Sequence, residues 1–378
     1  MIFLVVLLLV LGTYALVLLG SAWAWARLPV PKNQSVGSKV FFTVIIPVKD
    51  EQGNLLPLLQ DLERQTYPSS LFEVLVVDDH SIDGTPDLVN DFLQRSSLQV
   101  KLLFLASFPE KRLKKGAIEL GVSQAQGDWI VCTDGDCRVH PNWLTVLNAC
   151  RLEQKAKLIS GPVMLTYQED WFQQLQALEF SALIGVGAAC IGWQQPTMCN
   201  GANLAYEKAA FLGVNGFAGN DHLPSGDDEF LMHKIHQKYP GSVAFLKDQE
   251  AIVKTSAIPA FKSFLEQRKR WASKWKHYTR TAPKALAVLV LTANVALWVV
   301  LGLAVAGTLG WWWFWWALAM KLVPDLVLLA PVLDFFRRKR LLLFIGLLQV
   351  LYVPYVLATA ILGWRGTYAW KNRQHLPV

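Results

Sequence analysis

The first 26 residues, Met1 to Ala26, carry no charged side chain, and from Ala285 to Trp364 the chain is again predominantly apolar. A chain divided in this way has too much apolar surface at both ends for one water-soluble core. The uncharged opening stretch is long enough to cross about 30 Å of hydrocarbon as a helix. A cleaved export signal is the rival reading, because Ala22-Trp23-Ala24 resembles a small-residue cleavage site. The lack of a basic leader and the length of the apolar run oppose it. Arg27, Lys32 and Lys39 follow, which places the C-terminal side of this helix in the cytoplasm. Pro29, Pro31, Asn33, Gly37 and Ser38 mark residues 27–40 as a linker.

At the other end, spans are expected at Ala285 to Val305, Trp311 to Phe335 and Leu341 to Trp364, within a membrane region 285–364. The basic run Arg337 to Arg340 belongs on the cytoplasmic side, and Trp311-Trp312-Trp313 with Trp315-Trp316 suits a headgroup-level belt. Lys321 and Asp325 lie one helical turn apart inside the second span, where a protein-facing ion pair is expected. One N-terminal and three C-terminal crossings would leave the basic tail, residues 365–378, on the wrong side. One of the three is therefore a candidate for a re-entrant or interfacial segment.

Between these ends, short apolar strands alternate with amphipathic helices. Strands are expected at Thr43–Pro47, Phe72–Val77, Val100–Leu105 and Trp129–Thr133. Helices are expected at Leu55–Gln65 with Asn54 as N-cap, Pro86–Gln94 and Gly116–Ala125. This alternation implies an α/β domain, 41–257, with a mostly parallel, Rossmann-like sheet. Further helices are read at Asp170–Ile184 and Asp228–Gln237, and a tight loop at Asn200–Asn203. Pro259 to Tyr278 interleaves aromatic and basic residues, so 258–280 reads as an amphipathic interface helix. The formal charge is +7. Much of it flanks the apolar segments, which points to anionic lipid and away from nucleic acid. The five cysteines include no Cys-x-x-Cys pair and read as reduced cytosolic thiols. No obligate protein partner is implied.

Four groups of polar residues fall where a parallel sheet would collect them, beyond the carboxyl ends of its strands. They are Pro47-Val48-Lys49-Asp50-Glu51, Asp78-Asp79-His80-Ser81, Asp134-Gly135-Asp136 and Ser225-Gly226-Asp227-Asp228-Glu229. Gln267-Arg268-Lys269-Arg270-Trp271 follows downstream. The carboxylates of Asp134 and Asp136 are hard ligands suited to Mg²⁺ or Mn²⁺ together with substrate phosphates.

In this order the motifs resemble those of family-two inverting glycosyltransferases with the GT-A fold. The resemblance is to the membrane-embedded members that carry Gln-x-x-Arg-Trp: cellulose-, hyaluronan- and poly-N-acetylglucosamine-type synthases and ceramide-glucosyltransferase-like enzymes. It covers about Phe42 to Tyr278 and the flanking membrane segments. Lys49-Asp50-Glu51 stands where the family usually has Tyr-Asn-Glu, and Asp227-Asp228 where it has Glu-Asp. The resemblance implies a nucleotide-sugar donor, UDP-linked, read at the base by Asp79 within a donor site of Pro47, Asp50, Glu51, Lys115 and Asp134. It implies a metal at Asp136 with Asp134, Asp228 as catalytic base, and Asp227, Gln267, Arg270 and Trp271 closing over diphosphate and acceptor. The implied reaction is single-displacement transfer to a membrane-lipid or saccharide acceptor by an integral protein of a bacterial-type inner membrane, its catalytic domain cytoplasmic. Transfer of one sugar to a lipid is favoured over processive polymer synthesis, since three C-terminal segments give little material for a secretion channel. A membrane-bound nucleotidyltransferase is the competing class.

Overall fold

The computed structural model describes residues 2–31, 38–108, 111, 113–221, 223, 225–278, 280–365, 368–370 and 373–375. Part of the linker, including Lys32, lies outside the described residues. The chain opens on α1 (Ile2–Arg27) and enters the α/β domain through β1 (Phe42–Val48), α2 (Leu55–Glu63), β2 (Phe72–Asp78), α3 (Thr85–Arg95), β3 (Val100–Phe104), α4 (Leu113–Gln124) and β4 (Trp129–Cys132). It continues with α5 (Trp143–Gln154), β5 (Leu158–Ser160), β6 (Val163–Thr166), α6 (Trp171–Gly192), β7 (Leu204–Glu207), α7 (Lys208–Gly213), α8 (Glu229–Lys238), β8 (Val243–Phe245), β9 (Val253–Ser256) and α9 (Phe261–Ser273). Three apolar helices follow, α10 (Thr281–Val305), α11 (Trp311–Phe335) and α12 (Ile345–Arg365). In the basic tail, β10 (Tyr368–Trp370) and β11 (Arg373–His375) pair antiparallel.

The main sheet runs β3-β2-β1-β4-β7-β5-β8, parallel except at β7, which is antiparallel to β4 and to β5. Alternation along β1 divides its side chains between two cores. Phe42, Val44 and Ile46 join Leu55 and Leu58 of α2 on one face, and Ile45 joins Ile118 of α4 on the other. A Cβ at Gly121 would lie 2.8 Å from Ile45 Cδ1, so glycine lets α4 sit close on the strand. β1 has β2 on one side and β4 on the other, both parallel to it. Chain order reverses there, and the crevice beyond the strand ends opens at that point. The strands fall within a residue of their expected bounds. Asn54 does precede α2, but its side chain makes no cap bond and its amide donates to Glu51 Oε2 at 2.8 Å instead.

α6 is longer than expected, running 22 residues to Gly192. Gly185 and Gly187, just beyond the expected end at Ile184, are packing positions. A Cβ at Gly185 would lie 2.7 Å from Val332 of α11, and one at Gly187 2.8 Å from Met198. α6 thereby joins four other helices that are long and apolar enough to cross a membrane: α1, α10, α11 and the segment Lys339–Thr359.

Two of these helices end against the same edge of the domain. Trp25 of α1 is buried between Phe245 and Phe335, ring centroids 6.1 and 5.5 Å away. Lys247 donates to the Trp25 carbonyl at 2.7 Å. Gln249 bonds the Phe335 carbonyl at the end of α11, and Arg337 donates to Gln249 Oε1. The Lys321–Asp325 pair expected from their spacing is present at 2.5 Å, buried, with Tyr14 and Gln349 also donating to Asp325. α12 packs along α9, where Tyr355 stacks near Phe264 at 5.5 Å and donates to Glu179 Oε1 of α6 at 2.8 Å. α9 is shorter than expected. It begins after Pro259 and passes at Lys274 into a 3-10 turn.

Candidate active site

One cavity of about 380 Å³ collects residues from all five polar groups: Pro47, Lys49 and Glu51; Asp79; Asp134 and Asp136; Asp227, Asp228 and Glu229; Gln267, Arg270 and Trp271. Each is carried there by a particular local structure. After β1 the chain turns through Asp50 in the left-handed region (φ 51°), so that Glu51 N reaches Thr85 Oγ1 at 2.8 Å. Gly135 lies under this turn. A Cβ there would stand 3.0 Å from Val48 and 3.1 Å from the Glu51 side chain, so the centre of the Asp-x-Asp is closely packed.

The carboxylates are held in different ways. Asp79 is buried, and His80 Nδ1 lies 3.0 Å from its Oδ1. Its neighbour Asp78 is also buried, and its Oδ1 has no hydrogen-bond partner among the described residues. Asp136 Oδ2 accepts from Thr255 Oγ1 at 3.0 Å. Asp134 Oδ1 meets Lys114 Nζ at 2.6 Å, and the same ammonium lies 3.4 Å from Asp227 Oδ2. Burial alone would lower the Lys114 pKa, but these two acids outweigh it and hold the ammonium well above its ordinary range.

Asp227 and Asp228 are adjacent and differ sharply. Burial pushes both carboxyls up. At Asp227 the charge of Lys114, a backbone hydrogen bond and two further lysines prevail, leaving it below the ordinary carboxylate range. At Asp228 burial prevails over Lys274, with Asp227 and Glu229 adding repulsion, and its pKa is raised. Asp228 also caps α8, accepting from Glu229 N at 2.8 Å, while its Oδ2 accepts from Gly201 N at 3.0 Å. Gly201 sits close under the pair, since a Cβ there would lie 3.1 Å from Asp227 Oδ2 and 3.3 Å from Lys114 Nζ.

Two expected donor residues lie elsewhere. Asp50 is absent from the cavity wall and accepts from Ile82 N at 2.9 Å. Lys115 points away from the cavity, its ammonium donating to the Asn220 carbonyl at 2.5 Å and facing the Phe230 ring at 5.6 Å. Burial lowers its pKa to about 8. Lys114 occupies the cavity instead, because adjacent helical residues point about 100° apart. The paired Lys114-Lys115 was visible in the sequence; in the structure Lys114 faces the carboxylates and Lys115 the Asn220 carbonyl.

Arg268 and Lys274, read in the sequence only as basic residues of the interface helix, and Glu179, given no role there, also pack about the site. Arg268 is buried, pairs with Glu179 Oε2 at 2.5 Å, and lies over Phe264 and Trp271 at 4.7 and 4.1 Å. It fixes the Trp271 ring and ties α9 to α6. Lys274 meets Glu229 Oε2 at 3.0 Å, and Tyr278 donates to the same oxygen at 2.5 Å. This joins the end of α9 to the residue after Asp228.

The donor set fits a hard divalent cation. Asp134 and Asp136 offer oxygen ligands, and no group of three or more His, Cys, Asp or Glu ligands occurs among the described residues. That is the arrangement in which one or two carboxylates share Mg²⁺ or Mn²⁺ with substrate phosphates. The Lys114 ammonium against Asp134 shows that the carboxylate is placed to meet a positive charge.

The sheet order and this cleft define a class, and comparison with known proteins names it. The chain belongs to glycosyl transferase family group 2, a family of glycosyltransferases whose model matches residues 129–329. The model of glycosyl transferase family 2 matches residues 43–211. Among curated relatives, glycosyltransferase AglE of Haloferax volcanii is 35% identical over 127 residues, 34% of this chain and 40% of its own. Beta-monoglucosyldiacylglycerol synthase of Trichormus variabilis is 25% identical over 302 residues, 72% of this chain and 55% of its own. The chain thus spans about half the length of these relatives. The mannosyltransferase PcManGT of Pyrobaculum calidifontis, solved with GDP-Man and Mn²⁺, superposes with a TM-score of 0.60 at 18% identity, covering 96% of this chain and 98% of that one. This shows the fold, the mostly parallel α/β sheet of GT-A glycosyltransferases.

Proposed function

We propose that this chain transfers a sugar from a nucleotide donor, UDP-linked, to a hydroxyl on a membrane lipid or saccharide, by single displacement with inversion. The observation that carries the reading is the meeting of Asp134 and Asp136 with Asp228 and Arg270 in one cleft, although they come from three separate segments. Asp79 would hold the base and Asp134 and Asp136 the metal. When bound, Mg²⁺ or Mn²⁺ supplies positive charge that stabilises the departing diphosphate. Arg270 adds a planar fork able to hold two phosphate oxygens.

Asp228 is the base in this reading. Its raised pKa makes it a stronger proton acceptor than an ordinary carboxylate, and Gly201 N orients it. Asp227, held by Lys114 and kept ionised, positions that lysine and the acceptor. A base that takes the acceptor's proton as the donor bond breaks is what an inverting single displacement requires. Lys114 takes the place first given to Lys115.

The long apolar helices support an integral membrane protein with its α/β domain in the cytoplasm. α1 and α11 both end at the domain beside Arg27 and Arg337 to Arg340. α12 starts beside α6 and runs back along α9, which favours it as the interfacial or re-entrant segment. The test is product analysis with purified protein, a panel of nucleotide sugars and a total lipid extract. A nucleoside diphosphate with a glycosylated product is expected, and pyrophosphate would indicate a nucleotidyltransferase.

A further inference from the structure

Gln267 and Trp271 reach the cleft from α9, and the guanidinium of Arg268 supports both. It lies over the Trp271 ring at 4.1 Å, and its Nη1 donates to Gln267 Oε1 at 3.3 Å. Arg268 is 4% exposed, so its charge must be met inside the protein. Glu179 of α6 meets it, Oε2 accepting from Nη2 at 2.5 Å. This pair has a single prong. Arg268 Nε has no hydrogen-bond partner among the described residues, so the two parallel bonds that would fix the arginine plane unaided are not made. The tilt of the guanidinium therefore follows the way the Glu179 carboxylate is turned.

That turn is set from outside the α/β domain. Tyr355 of α12 donates to the other oxygen of Glu179, Oε1, at 2.8 Å. The Tyr355 ring stands 5.5 Å from Phe264, which Arg268 also faces at 4.7 Å. Glu179 is thus held on one oxygen by α9 and on the other by α12. Phe180, the next residue of α6, brings its ring to 6.3 Å from Trp271. α12 has an anchor of its own, since Gln349, six residues before Tyr355, donates to Asp325 of α11 at 2.6 Å. A buried carboxylate oxygen is costly to leave without its donor, so Glu179 would turn if the Tyr355 hydroxyl were lost.

We infer that Glu179 and Tyr355 are positioning residues for Gln267 and Trp271. The α12 hydroxyl turns the Glu179 carboxylate, Glu179 orients Arg268, and Arg268 sets the two side chains at the cleft. This rests on the glycosyl-transfer reading and adds to that site a helix long and apolar enough to cross a membrane.

The experiment uses full-length protein in lipid nanodiscs, total lipid extract as acceptor and the nucleotide sugar that gives most turnover. Tyr355→Phe removes one hydroxyl and keeps the ring. It should lower kcat about fivefold, the loss of one hydrogen bond, with the donor KM within about twofold of the wild type. The held KM also shows that the donor side is folded. Tyr352→Phe removes a hydroxyl from the same helix one turn earlier, and kcat should stay within about twofold of the wild type. Arg268→Lys keeps the charge but loses the planar face over Trp271, so kcat should fall at least as far as in Tyr355→Phe. Adding Tyr355→Phe to Arg268→Lys should then cost no more than about a further twofold, because the two act in one line. A wild-type kcat in Tyr355→Phe overturns the inference. So does an equal loss in Tyr352→Phe, or losses that multiply in the double variant. Each of these leaves the glycosyl-transfer reading intact. Absence of transfer by the wild type with every donor overturns that reading itself.

Discussion

The two halves of the cleft are built by different means. The half proposed to hold the donor hangs on strand ends. Asp79 and the Asp134–Asp136 pair each follow a parallel strand, and their positions come from the β2-β1-β4 register. The half proposed to hold the acceptor hangs on helix ends and side-chain pairs. Asp228 caps α8, Trp271 lies under Arg268, and Arg268 depends on Glu179 of α6, which also holds Tyr355 of α12. A register is fixed by the backbone, whereas a chain of pairs spanning α6, α9 and α12 passes a disturbance along. Donor-half changes should therefore act locally, and acceptor-half changes should report on helix packing as well.

The largest expected effect is in the donor half. Asp136→Asn removes the charge of the carboxylate proposed to hold the metal with little change of shape, so turnover should fall by orders of magnitude while the unfolding temperature holds. Full turnover of the wild type in excess chelator would remove the metal from the account. Arg270→Lys is intermediate. It keeps the charge and loses the planar fork, so kcat/KM should fall by the equivalent of about 1–3 kcal/mol. An unchanged value would reduce α9 to a membrane-side anchor.

The smallest and most discriminating contrast is Lys114→Met against Lys115→Met. Lys114 faces Asp134 and Asp227, so its loss should weaken donor affinity. Lys115 holds the Asn220 carbonyl, so its loss should appear as about 1 kcal/mol of stability with donor affinity intact. The reverse pattern would put α4 one residue out of register.

The same division governs what the sequence alone reveals. β1, β2 and β4 were legible because buried strands read as short apolar runs, and their terminal carboxylates mark where the runs stop. α6 runs on past its expected end at Ile184 because Gly185 and Gly187 let Val332 and Met198 pack against it, and those contacts come from other parts of the chain. The pairing of Arg268 was not legible because nothing local to it announces Glu179, 89 residues away in the chain. The Lys321–Asp325 pair was legible because its spacing is a single turn of one helix. Features set by periodicity or local spacing could be read, and those set by contact between distant helices could not.

The central claim is that Asp228 accepts the acceptor's proton while the donor is held elsewhere. It is tested most directly by measuring donor affinity and sugar transfer for Asp228→Asn. An amide of the same shape can still cap α8 but cannot take a proton. Nucleotide-sugar affinity should stay close to that of the unaltered protein, and transfer should fall by orders of magnitude. Substantial transfer by Asp228→Asn, with Asp227→Asn inactive, would contradict it and move the base one residue back along the chain.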